Sequence, residues 1–109
     1  MYEKDPVKIF VVEDDPAYSK FLKYVLGLNP DFDVEYFTTG KECLQNLHKN
    51  PTIVTLDYSL PDMPGEKVLQ EILQVNPDAQ IIIVSAQEKI STAVDLMKAG
   101  AYYYIPKDT

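Results

Sequence analysis

The sequence predicts an α/β fold: a doubly wound, five-stranded parallel sheet with helices on both faces. Three observations carry this expectation. Strand and helix signals alternate from one end of the chain to the other. The strand segments are largely apolar and β-branched, as strands covered on both faces are. The connections are short, and alternation with short connections favours parallel strands joined by crossover helices.

The elements follow in order. Val7-Lys8-Ile9-Phe10-Val11-Val12 reads as a buried first strand. Asp15-Pro16 then offers an N-cap followed by proline at the first helical position. Tyr18, Phe21, Leu22, Val25 and Leu28 recur at helical spacing on one face, and Gly27, Asn29 and Pro30 stop that helix. The stretch from Phe32 to Phe37 is a second strand. Its acids, mixed with Val34 and Tyr36, place it at an edge. Thr39-Gly40 opens a short helix carrying Leu44 and Leu47, ended by Pro51. Ile53-Val54-Thr55-Leu56 is a third strand that runs straight into Asp57, and Ser59-Leu60-Pro61-Asp62-Met63-Pro64-Gly65 is the loop after it. Val68, Leu69, Ile72, Leu73 and Val75 form a third helix, closed by Asn76-Pro77. Gln80-Ile81-Ile82-Ile83-Val84 is a fourth strand ending at Ser85. Ile90, Ala93, Val94 and Met97 mark a fourth helix stopped by Gly100. Tyr102-Tyr103-Tyr104-Ile105 is a fifth strand ending near Lys107.

The 109 residues suffice for one domain, residues 1–109, and not for two. A formal net charge of -7 argues against nucleic acid or an anionic membrane as a partner for this segment. No apolar run approaches the ~20 residues of a membrane span, and the first residues lack a signal-peptide core. A cytoplasmic location is expected. The single cysteine, Cys43, lies beside Leu44 and Leu47 and reads as a core filler. The single histidine, His48, stands late in a helix, where it suits the dipole better than catalysis.

In doubly wound sheets, ligands bind beyond the carboxyl ends of the strands. Glu13, Asp14 and Asp15 follow the first strand here, Asp57 the third, Ser85 and Ala86 the fourth, and Lys107 the fifth. Asp15, followed by Pro16, is better read as a helix cap than as a ligand. The remaining carboxylates repel one another unless a cation or proton intervenes. Hard oxygen donors of this kind suit Mg²⁺. A carboxylate beside such an ion can attack phosphorus. Lys107 and Ser85 are the residue types that offset charge on a transferring phosphoryl group.

Four segments, in order and spacing, resemble the response-regulator receiver family of two-component signalling. They are Ile9-Phe10-Val11-Val12-Glu13-Asp14-Asp15-Pro16; Leu56-Asp57-Tyr58-Ser59-Leu60-Pro61-Asp62-Met63-Pro64-Gly65; Ile82-Ile83-Val84-Ser85-Ala86; and Lys98-Ala99-Gly100-Ala101-Tyr102-Tyr103-Tyr104-Ile105-Pro106-Lys107. The resemblance implies a flavodoxin-like sheet of order 2-1-3-4-5. It implies that Asp57 is the phosphoacceptor, and that Asp14 holds Mg²⁺ directly with Glu13 acting through water. Asp57 itself and the Ser59 carbonyl complete the metal set. Ser85 resembles the switch hydroxyl, Lys107 the lysine that pairs with the phosphoryl group, and Tyr104 the switch aromatic. Ser59 and Gln87 match positions that tune phosphoryl lifetime. The implied partner is a sensor histidine kinase or phosphotransfer protein. The implied output surface is the fourth helix and fifth strand, controlling transcription through a downstream effector domain. Activity is expected to be limited to Mg²⁺-dependent self-phosphorylation and autodephosphorylation. The wording also resembles receivers that precede the ATPase modules of sigma-54-dependent, NtrC-type regulators.

The chain departs from the family pattern in three places. Asp108 follows Lys107 where the family usually has proline, Pro106 precedes it, and the chain ends at Thr109, before the family's fifth helix. Part of the sheet should therefore be uncovered, with marginal stability or self-association, such as a homodimer, as the expected result. Two other functions compete. An aspartate-nucleophile phosphohydrolase of the haloacid-dehalogenase kind resembles Asp-x-Asp at the nucleophile, but Ser59 holds the second position here. A degenerate receiver, acting as an interaction module without phosphorylation, remains the alternative.

Overall fold

The computed structural model describes residues 5–86 and 89–107. Gln87 and Asp108, both singled out above, lie outside the described residues. The chain forms β1 (Val7–Val12), α1 (Pro16–Leu26), β2 (Phe32–Phe37), α2 (Gly40–Gln45), a 3₁₀ turn (Leu47–Lys49), β3 (Ile53–Asp57), α3 (Gly65–Val75), β4 (Gln80–Ser85), α4 (Ile90–Lys98) and β5 (Tyr103–Pro106). The sheet is parallel throughout, in the order β2-β1-β3-β4-β5. This is the doubly wound arrangement the sequence predicts, with β2 at an edge.

Register aligns the apolar rows. Val12 pairs with Phe37 and Leu56, Val54 with Ile81, Leu56 with Ile83, and Ile83 with Tyr104. These residues, with Phe10, form one sheet face. They pack against Cys43 and Leu47, against Val68, Leu69 and Ile72 of α3, and against Leu96 of α4. Cys43 is fully buried, and burial pushes its thiol up to about 12, so it is inert core as expected.

The helix ends match their chemistry. Asp15 caps α1, its Oδ1 accepting the Ala17 N–H at 3.0 Å, and Pro16 takes the first helical position. Thr39 caps α2 through the Glu42 N–H at 3.1 Å. Gly100, at φ 113°, ends the α4 segment, and a Cβ there would lie 2.6 Å from Leu73 Cδ1.

Four details differ from expectation. The second helix stops at Gln45 and continues as the 3₁₀ turn, ahead of Pro51. β5 begins at Tyr103, not Tyr102. In α4, Ile90, Val94 and Met97 lie outward, 80%, 43% and 43% exposed, whereas Leu96 is the buried residue. No residue of α1 is fully buried: Phe21 and Val25 are exposed to solvent, as are Tyr103 and Ile105 of β5. A cleft of about 310 Å³ is lined there by Tyr18, Phe21, Ile105 and Pro106.

Candidate functional site

The carboxyl ends of β1, β3, β4 and β5 bring the expected residues together. Glu13 follows β1 directly and is 3% exposed. Asp57 ends β3 at 5%, and Ser85 ends β4 at 1%. Three buried polar side chains at one sheet edge are unusual for structure alone, because each needs a partner in the interior. Glu13 Oε2 accepts the Asp15 N–H at 3.1 Å and Lys107 Nζ at 3.0 Å. Asp57 Oδ1 accepts the Ser59 N–H at 3.1 Å, and its Oδ2 lies 3.6 Å from Lys107 Nζ. Lys107 is placed by its backbone, whose N–H donates to the Ser85 carbonyl at 2.7 Å. Asp14 stands at the exposed mouth.

The loop after β3 is held from both sides. The Tyr58 N–H donates to Val84 O at 3.0 Å and the Gly65 N–H to Tyr58 O at 2.9 Å, while Ser59 bridges to Pro64. Gly65 allows α3 to start against this loop. A Cβ there would lie 2.8 Å from Tyr58 Cα and 2.9 Å from Asp57 O. Asp62 reaches further, accepting the N–H groups of Gly40 and Lys41 at 2.9 Å each and so tying the loop to the start of α2. Tyr104, half-buried, packs against the core beneath the site.

Glu13, Asp14 and Asp57 each offer a carboxylate oxygen, all within 4.8 Å of one another. Burial raises the Asp57 pKa above the carboxylate range, and Glu13 adds to this, against the pull of the Ser59 N–H and Asp14. Burial likewise raises Asp14, followed by its contact with Asp57. Lys107 shows the opposite balance. Burial disfavours its charge, but Glu13, Asp57 and Asp15 outweigh this and hold its pKa above the usual lysine value. The cluster thus has more negative charge than one ammonium offsets, and its donors are hard oxygens. The residues fit a divalent cation.

Over residues 9–109 the chain matches the response regulator receiver domain. The chain belongs to the response regulator receiver family. Response regulator MprA of Mycobacterium sp. (strain KMS) is 34% identical over 103 residues, 94% of this chain and 44% of that protein. Regulatory protein LuxO of Vibrio cholerae is 33% identical over 99 residues, 89% of this chain and 21% of that protein. The chain thus spans less than half the length of either relative. The crystal structure of a Luxo repressor signal receiver domain from Vibrio parahaemolyticus superposes with a TM-score of 0.88 at 30% identity, over 95% of this chain and 80% of that one. Receiver domains are the regulatory modules of two-component systems. They are phosphorylated on aspartate and interact with histidine kinases and phosphotransfer proteins. Among the described residues, no helix is long and apolar enough to cross a membrane.

Two features of the site escaped the sequence reading. In sequence Asp62 is only one residue of a turn-rich loop, because its partners lie more than twenty residues earlier in the chain. Tyr18 reads in sequence as one residue of an apolar helix face, yet the Lys107 ammonium stands 4.7 Å from its ring centroid.

Proposed function

We propose that this receiver accepts a phosphoryl group on Asp57 from the phosphohistidine of a sensor kinase or phosphotransfer protein. The observation that carries this reading is the buried Asp57 carboxylate, set between two further carboxylates and the Lys107 ammonium at the mouth of the sheet. An Asp57 oxygen attacks phosphorus, forming a P–O bond as the donor's P–N bond breaks. Lys107 moves its ammonium from Glu13 to a phosphoryl oxygen, and the Ser85 hydroxyl donates to another. Asp14, Asp57 and the Ser59 carbonyl would hold Mg²⁺, with Glu13 acting through water. When bound, the ion neutralises charge on the transferring group.

Phosphorylation adds about two negative charges and three acceptor oxygens. Ser85 and Lys107 are drawn inward, Tyr104 follows, and α4 and β5 repack as a two-state element. The exposed Ile90, Val94 and Met97 lie on that output surface. Ser59 and Gln87 tune phosphoryl lifetime. The same reading takes residues 1–109 as one receiver domain in a cytoplasmic regulator, acting on transcription through an effector domain, with Mg²⁺-dependent self-phosphorylation and autodephosphorylation its only intrinsic reactions. Self-association through the exposed apolar residues of α1 and β5 belongs to it also, and sedimentation velocity reads that directly.

Intact mass after incubation with Mg²⁺ and acetyl phosphate tests the central step. The expected result is one added phosphoryl group that needs Mg²⁺ and is absent in Asp57→Asn. No adduct, together with no binding of beryllofluoride, would favour a receiver that works without phosphorylation.

A further inference from the structure

We propose that Tyr18 is a positioning residue for Lys107, its ring face serving as the third wall that keeps the ammonium inside the acidic cluster. The inference rests on the phosphoacceptor reading above. A lysine side chain has four rotatable carbons and loses about 2 kcal/mol of rotamer freedom when fixed. Glu13 and Asp57 hold its tip from the sheet side at 3.0 and 3.6 Å. On the helix side the Tyr18 ring lies under Nζ, 4.7 Å from centroid to nitrogen, within the range of cation–π attraction. The ring is itself steadied one turn along α1, where Phe21 meets it at a centroid distance of 5.8 Å.

A ring face suits this task better than another hydrogen-bond acceptor. Attraction to a π face is broad, so the ammonium can move from Glu13 toward a phosphoryl oxygen on Asp57 without losing it. A third carboxylate would compete with the phosphoryl group for the same protons. Pro106, immediately before Lys107, lines the same cleft as Tyr18 and Phe21. α1 therefore steadies both the lysine's backbone approach and its tip.

The test uses the whole chain as wild type, Tyr18→Phe and Tyr18→Leu. Leucine keeps apolar contact with Phe21 but has no π face, and phenylalanine keeps the face without the hydroxyl. NMR of the metal-free protein should place the Lys107 ε-protons upfield, from the ring current, in wild type and Tyr18→Phe, and near their ordinary shift in Tyr18→Leu. With Mg²⁺ present, Tyr18→Leu should bind beryllofluoride roughly three- to thirty-fold more weakly, while Tyr18→Phe matches wild type. Affinity for Mg²⁺ alone, measured without the mimic, should not fall in either variant. Equal beryllofluoride affinity in wild type and Tyr18→Leu overturns the proposal. So does a parallel loss of Mg²⁺ affinity, which marks a general distortion, or a Tyr18→Phe that behaves like Tyr18→Leu. A wild type that binds Mg²⁺ but neither beryllofluoride nor phosphoryl removes the phosphoacceptor reading itself, and this proposal with it.

Discussion

Lys107 leans toward Glu13 and away from Asp57: its Nζ lies 3.0 Å from Glu13 Oε2 and 3.6 Å from Asp57 Oδ2. The Glu13 carboxylate is 2% exposed and the lysine side chain 13%, so this is a buried pair rather than a surface one. Removing one member of such a pair leaves an uncompensated interior charge, which destabilises far more than the pair itself stabilises. Lys107→Met should therefore lower the stability of the metal-free protein at pH 7 by on the order of 3 kcal/mol. Mg²⁺ should recover much of that loss and bind the variant more tightly, because the ion no longer competes with an ammonium. Urea unfolding with and without Mg²⁺ checks both. Beryllofluoride binding should weaken despite the tighter metal.

The raised pKa values of Asp57 and Asp14 set a pH dependence with a definite sign. Between the ordinary carboxylate value of about 3.9 and the raised native values, the folded protein holds more protons than the unfolded chain. In that window these two groups make stability fall as pH rises. Mg²⁺ reverses the trend, since it binds the deprotonated carboxylates and stabilises only the folded state. The melting-temperature increment produced by Mg²⁺ should thus grow as pH rises from about 4 toward neutrality. Lys107, whose pKa is raised, contributes stability that is complete below about 10.4 and is lost only above it, so it does not blur the acidic window. Thermal melts across pH, with Mg²⁺ or a chelator, give the comparison. An increment that does not vary with pH would remove Asp57 and Asp14 as the coupled pair.

The site was legible in the sequence because each of its residues follows an apolar run that fixes its place. Val12 leads into Glu13, Leu56 into Asp57 and Val84 into Ser85, and a parallel sheet gathers those ends at one edge. What was not legible is what depends on direction within a helix or on contacts distant in sequence. α4 is nine residues long, with apolar residues on two arcs. Periodicity alone could not choose Leu96 over Ile90, Val94 and Met97 as the buried residue. Its second arc faces outward because a sheet face takes only one side of a helix. The tyrosine triplet at 102–104 carries no internal boundary, so sequence starts β5 at Tyr102, whereas the structure starts it at Tyr103, which pairs with Ile82. Tyr18 fits an apolar helix stripe, and only the return of the chain at Lys107 shows what lies over its ring.

Asp62 supports a third prediction. Its two carboxylate oxygens accept the N–H groups of Gly40 and Lys41, which are first-turn donors of α2 with no partner inside the helix. Burial opposes the charge, but these bonds, with the N–H groups of Asp62 and Met63, hold the Asp62 pKa below the usual range. Asp62→Ala should reduce stability by about 1 kcal/mol, in the range of a lost helix cap. The difference from wild type should be present above about pH 4 and shrink as pH falls through the native value of Asp62. Because the same loop carries Ser59, the variant should also bind Mg²⁺ more weakly. Parallel denaturation and Mg²⁺ titrations check this, and an unchanged metal affinity would sink the link between Asp62 and the Ser59 carbonyl.

Gly65 gives the sharpest steric test. A Cβ at this position would stand 2.8 Å from Tyr58 Cα, 2.9 Å from Asp57 O and 3.0 Å from Tyr58 O. All three are backbone atoms, so no side chain can swing aside. Gly65 also donates its N–H to Tyr58 O at 2.9 Å, which sets how close α3 starts to the Asp57 loop. Gly65→Ala must therefore push the start of α3 and the Asp57–Tyr58 backbone apart. Overpacking of this kind destabilises by about 1–3 kcal/mol. The displaced residue is the phosphoacceptor candidate itself, so phosphorylation by acetyl phosphate should slow by more than the stability loss explains when measured well below the melting temperature. Gly100→Ala supplies the control. Its φ of 113° and its contact with Leu73 predict a comparable loss of stability at a position away from the carboxylates. If the two variants lose stability alike but only Gly65→Ala slows phosphorylation, the close approach at Gly65 serves Asp57. Equal slowing in both would assign the effect to stability alone.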